Sequence, residues 1–233
     1  MARICLAYLS QLEASAEASE IQKSFPLAMY CAKHWTSHAV AAKDHDADLQ
    51  AAIVKFFSSD AYKTWCKLYG WSEAEAASPL YIAAHTGLSG VVEALTTLEQ
   101  EKGRNTNKTE PKIEIKIEIE IETGNEKGNE SAGENDYVDA LHAACAWGHI
   151  MVTELLLRKV KASDVNAPSG QGETMLYAAS GGGYVDIVEL LLSKGAEVDA
   201  QGGTYGSALC VAALEGHEQV VKALACPCAQ CAP

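Results

Sequence analysis

Apolar residues recur at three- and four-residue intervals along the first 72 positions, the mark of helices with one buried face. Cys5, Tyr8, Leu9 and Leu12 form the first such stripe. Ala28, Cys31, Ala32, Trp35 and Ala39 form the next, and Ser24 before Phe25-Pro26 reads as its start, because proline is tolerated in a first helical turn. Leu49, Ala52, Ile53, Phe56 and Phe57 follow, then Tyr62, Trp65, Cys66 and Tyr69. Core packing is the simplest use for Trp35, Trp65 and Trp71. Residues 1–73 are therefore expected to be a small helical region.

Beyond it the pattern repeats. Leu80, Leu141, Leu176 and Leu209 are each followed after three residues by Ala83, Ala144, Ala179 and Ala212, and after seven by Gly87, Gly148, Gly183 and Gly216. Eleven residues on stand Val91, Val152, Ile187 and Val220; fifteen on stand Leu95, Leu156, Leu191 and Leu224. Leu141 to Leu176 is 35 residues and Leu176 to Leu209 is 33, a period that marks stacked pairs of helices. Each position has a physical reason. Ser78, Asp139, Thr174 and Ser207, two before the leucine, are expected to cap the first helix. The alanine lets helices approach, and the glycine ends the first helix in a left-handed conformation. The Val/Ile and Leu positions give the second helix an apolar face. Gly195 is expected to end a second helix ahead of a turn-rich loop or hairpin.

Leu80 to Leu141 is 61 residues, one period and 28 more. The excess falls in residues 100–136, rich in Glu, Lys, Asn and Gly, with KIEIKIEIEIE at 112–122. A two-residue period suits a strand. The flanks cannot build a core, so the stretch reads as a disordered insert rather than an ordered hairpin, its Glu and Lys opposing strand aggregation. The expected organisation is a helical region at 1–73, a first repeat at 74–99, the insert at 100–136, repeats two to four at 137–225 with the last cut short, and a Cys-rich tail at 226–233.

These spacings, with LHAACAWGH at 141–149 and IVELLLSKGAEVDAQ at 187–201, resemble the ankyrin repeat. The likeness covers residues 78–98 and 139–225 and implies an all-α fold: an ankyrin-type helical solenoid preceded by a small helical region, with the low-complexity insert between repeats one and two. It also implies a protein–protein interaction module, with the partner on the concave face of loop tips and first helices. On this chain that face comprises Asn166 to Glu173 and Gln201 to Tyr205, with Ala146, Trp147, Leu214 and Glu215; Gln171, Gln201, Thr204 and Tyr205 are its tip candidates. Trp147 stands where the other repeats carry Thr86, Gly182 and Glu215, and that variability points to an exposed aromatic, either a binding anchor or a packing residue against a neighbour. A narrower likeness, SFPLAMYCAKHW at 24–35 with helices ending near Trp71, is similar to the linker ahead of ankyrin repeats in fungal NACHT-class receptors. No G-x-x-x-x-G-K-[ST] loop occurs, so nucleotide binding does not come with it. A truncated receptor remnant or decoy is the alternative reading.

Composition narrows the partners. Apolar residues make up 48% and charged ones 21%, the balance of a globular protein. The net charge of -13, from 31 acidic and 18 basic residues, argues against nucleic acid and anionic membranes and favours a basic or mixed protein partner. No apolar run reaches membrane-spanning length, and no secretion signal is read at the start. The expected compartment is the cytoplasm, with the nucleus left open. Cys5, Cys31, Cys66, Cys145 and Cys210 read as reduced core thiols. Cys226, Cys228 and Cys231 are weak metal or redox candidates, too crowded for a structural zinc site. Asp44, Asp46 and Asp48 alternate like a calcium loop but lack its glycine and glutamate, since Leu49 and Lys55 stand there. His34 and His38 have no nucleophile placed with them, and His149 and His217 read as structural. Neither an enzyme activity nor a cofactor is expected.

Overall fold

The computed structural model describes residues 1–12, 21, 23–42, 46–69, 78–103, 132–170 and 172–225. Twelve α-helices and one 3₁₀ turn are found among them, with a single isolated antiparallel bridge between Gln201 and Ser207. The chain divides into two compact units, residues 1–79 with 90–128, and residues 80–89 with 129–233.

The first unit contains α1 (Ala2–Leu9), α2 (Ala28–Ala41), α3 (Ala47–Phe57) and α4 (Asp60–Tyr69). The stripe from Ala28 to Ala39 is buried throughout. Trp35 meets Phe56, Phe57 and Trp65 edge to face, with ring centroids 5.8, 5.9 and 5.8 Å apart, an arrangement that matches ring edges to ring faces. The Trp65 indole N–H donates to the Ala32 carbonyl at 2.9 Å, tying α4 to α2. Trp71 lies outside the described residues. Three expectations change. Leu6, not Tyr8, joins Cys5, Leu9 and Leu12 in the core, because α1 packs against both α2 and α3 and buries a broader face than one stripe. Ser24 is itself helical and Pro26 sits in the turn before α2, which begins at Ala28. Ala52 is only half-buried, and Val54 takes a core place instead.

The acidic run before α3 has a structural use. Asp46 accepts from the Leu49 N–H at 3.1 Å, capping α3, and it pairs with Arg3, which also reaches Asp48. The Arg3 guanidinium and the Leu49 N–H hold the Asp46 carboxyl below its ordinary range. Cys5, Cys31, Cys66 and Cys145 are buried free thiols, whereas Cys210 is exposed. Burial and the neighbouring Cys5 push the Cys31 thiol up to about 11, and burial pushes Cys145 up to about 12, so neither carries thiolate character.

The repeats are α5 (Pro79–Thr86) with α6 (Ser89–Gly103), α7 (Ala132–Ala146) with α8 (Ile150–Leu157), α9 (Met175–Gly181) with α10 (Val185–Ser193), and α11 (Ala208–Leu214) with α12 (Glu218–Ala225). Most of α6 is grouped with the first unit; α5 and all later helices belong to the second. Helices α7, α9 and α11 pack in one row, and α8, α10 and α12 in another. The four alanines three residues after each leucine are fully buried, which sets how closely the first helices approach. Leu80, Leu141 and Leu176 are buried, but Leu209 is 39% exposed: among the described residues no first helix lies beyond α11 to cover it. Leu95 is half-buried, and Val92 and Thr96 are buried beside Val91.

Thr174 and Ser207 cap α9 and α11, accepting from Tyr177 N–H at 3.1 Å and Cys210 N–H at 3.3 Å. Asp139 does not cap, since α7 starts seven residues earlier at Ala132. Helices α6 and α7 thus enter both ends of the 100–136 stretch; residues 104–131, which include KIEIKIEIEIE, lie outside the described residues.

Candidate functional site

Each first helix ends at a glycine with positive φ: Gly87 (75°), Gly148 (77°), Gly183 (73°) and Gly216 (78°). Three of them do a second thing. The ring that opens the following repeat's second helix lies where a glycine side chain would stand. His149 is 2.6 Å from a Cβ placed on Gly87, His217 is 2.6 Å from one on Gly183, and the Tyr184 ring crowds Gly148 in the same way. The histidines complete the joint by donating across it, His149 Nε2 to the His85 carbonyl and His217 Nε2 to the Gly181 carbonyl, both at 2.9 Å.

The loop tips are held by a second set of bonds. His142 is buried and its Nε2 donates to the Ala167 carbonyl at 2.9 Å. Burial lowers the His142 pKa below the ordinary 6.5, against the opposing pull of that carbonyl and of Asp139 and Glu173. The Asn166 amide donates to the Gly195 carbonyl and accepts from the Glu197 N–H at 2.9 Å, joining successive repeats. Gly203 N–H donates to the Gly172 carbonyl at 3.2 Å, so adjacent tips touch. The Tyr177 hydroxyl accepts from the Tyr205 N–H at 3.2 Å, which fixes where Tyr205 projects.

The partner-face residues expected from sequence sit on this frame. Ala146 and Trp147 end α7; Leu214 and Glu215 end α11; Gln201, Thr204 and Tyr205 lie on the tip before α11. All seven are exposed, with Trp147 at 57%, Tyr205 at 50% and Leu214 at 59%. Gln171 lies outside the described residues, as do Cys226, Cys228 and Cys231. Trp147 is open to solvent and also packs: its ring lies 4.7 Å from that of His85, itself 6.1 Å from Tyr81. Burial and the nearby His149 lower the His85 pKa, so that ring is neutral near pH 7. Tyr81, His85 and Tyr177 were not among the residues singled out from sequence. Tyr177 and His85 find partners in neighbouring repeats, 28 and 62 positions away, and periodicity within one helix carries no sign of them; Tyr81 packs on His85 in its own helix. Among the described residues no group of three or more His, Cys, Asp or Glu is placed to hold a metal ion, and no helix is long and apolar enough to cross a membrane.

Comparison with known proteins agrees with this architecture. The family model described as "Ankyrin repeats (3 copies)" matches residues 119–202 and 141–231. The chain is 40% identical over 87 residues, 36% of its length, to the ankyrin repeat and KH domain-containing protein mask of Drosophila melanogaster. That stretch is 2% of the relative, so the chain spans only a small fraction of it. Ankyrin repeats generally mediate protein–protein interaction and are a scaffold fold rather than a catalytic one. The chain is thus an all-α protein whose residues 119–231 carry ankyrin repeats.

Proposed function

We propose that the repeats form a protein-binding module whose partner lies along the ends of the first helices and the loop tips, at Ala146, Trp147, Gln171, Gln201, Thr204, Tyr205, Leu214 and Glu215. The observation that carries this reading is the exposure of three large apolar or aromatic side chains, Trp147, Tyr205 and Leu214, on that one series of helix ends and tips. Aromatic residues of this kind dominate binding energy where they become buried at an interface. The bonds that fix the tips mean that little ordering is needed on binding, which favours affinity. Quantitative affinity capture from a cell extract tests the face, comparing wild type with Trp147→Ala plus Tyr205→Ala. The double variant is expected to lose a defined subset of captured proteins at least tenfold; unchanged capture of all of them overturns the proposed face. The narrower likeness to fungal NACHT-class receptors would set the module beside a nucleotide-binding switch. It rests on residues 24–35 and the helices up to Trp71, upstream of where the family match begins at 119.

A further inference from the structure

The basic residues of the repeats are sorted by helix. In residues 132–225 every Lys and Arg lies in a second helix or shortly after one: Arg158, Lys159, Lys161, Lys194 and Lys222. The first helices with their leading tips (132–149, 167–184 and 200–217) contain no Lys or Arg, yet they carry Asp139, Glu173 and Glu215. Asp139 and Glu173 come from different repeats, and both favour the charged form of His142. Negative charge attracts a cationic partner and speeds its encounter.

Aromatic surface lies at the end of the first of these helices. Trp147 is more than half exposed while resting against the His85 ring. An indole held in place in this way is the best of the side chains for receiving a guanidinium or ammonium on its face. Two repeats on, at the register of Trp147, stands exposed Glu215, with exposed Leu214 beside it. Between them repeat three has Gly181 and Gly182 at these positions, and the half-buried Tyr184 ring lies over Gly182.

We propose that this face binds an extended, arginine- or lysine-bearing segment of a partner protein. One cationic side chain lies on Trp147, the backbone crosses repeat three over the Tyr184 ring, and a second cation pairs with Glu215. Packed helices are spaced about 8–10 Å apart, so two repeat steps span about 16–20 Å. At about 3.3 Å per extended residue that separates the two cations by five to six residues. The proposal rests on the partner face argued above and adds the chemistry of its occupant.

The test is selection of a displayed library of random dodecapeptides on the full chain, with fluorescence anisotropy on the enriched peptides. Circular dichroism melting checks that each variant folds. Enriched peptides are expected to carry basic residues five to six apart. Trp147→Ala and Glu215→Gln are each expected to weaken them about tenfold, and Glu189→Gln on α10 should leave them unchanged. An equal loss with Glu189→Gln overturns the proposal in favour of unspecific attraction to an acidic protein, and failure to enrich any peptide also overturns it. Enriched peptides without basic bias that are nonetheless lost on Trp147→Ala plus Tyr205→Ala overturn the cationic occupant and leave the face standing. Peptides insensitive to every one of these substitutions overturn both.

Discussion

At Gly183 the backbone has a φ of 73° and the His217 ring occupies the space of a Cβ; at Gly216, in the same register with a φ of 78°, nothing lies within 4 Å. Substitution by alanine separates the two demands. Gly216→Ala meets only the left-handed backbone cost, about 1–2 kcal/mol. Gly183→Ala also displaces the ring and strains its bond to the Gly181 carbonyl, so it is expected to cost about 1 kcal/mol more. Urea denaturation measures both, and equal losses would show that the ring seat contributes nothing. His142 makes a pH prediction. Its folded pKa lies below 6.5, so the unfolded chain takes up the proton first as pH falls. Stability is therefore fully present above about 6.5 and is lost as pH drops from there toward the depressed folded value. Urea midpoints between pH 7.5 and 5 should fall more steeply for wild type than for His142→Gln; parallel slopes would refute the assignment.

At the scale of helices, the sequence is most legible where local chemistry and packing agree. Thr174 and Ser207 read as caps and act as caps because glycine-rich tips precede them and stop any earlier helical turn. Asp139 has the same spacing, but residues 132–138 are helical, so it lies within a helix whose start has moved upstream. The glycine stops were readable at all four positions, since only a left-handed residue ends the helix there. Helix α1 shows the opposite limit. A single stripe predicts one buried face, and its sandwiching by α2 and α3 recruits Leu6, which the stripe read from the sequence left out. The exposure of Trp147 could be inferred because its register position varies in size and polarity across the repeats. Its seat on His85 could not, because the two residues are 62 positions apart.

For the repeats taken together, stability is approximately a sum over neighbours, so the value of a side chain depends on its place in the stack. Leu176 and Leu209 share a register position, yet one is buried and the other 39% exposed. Leu176→Ala is expected to cost about 2–5 kcal/mol, as for a filled core site. Leu209→Ala is expected to cost under about 1 kcal/mol, as for a surface change. Chemical denaturation of the pair decides it, and a Leu209→Ala loss as large as that of Leu176→Ala would mean that its face is covered in solution. The ring-on-glycine joint has a hereditary consequence. Tyr184 and His217 stand at one register, 33 residues apart, and Gly148 and Gly183 at another, 35 apart. Each unit therefore carries one half of a coupling at its glycine and the matching half at its ring. Recombination that deletes or duplicates a whole unit, such as one that brings Gly148 against His217, rejoins compatible halves without a compensating mutation. A break of most other lengths sets a ring against a residue with a Cβ. A stack built this way can change length between generations in whole steps.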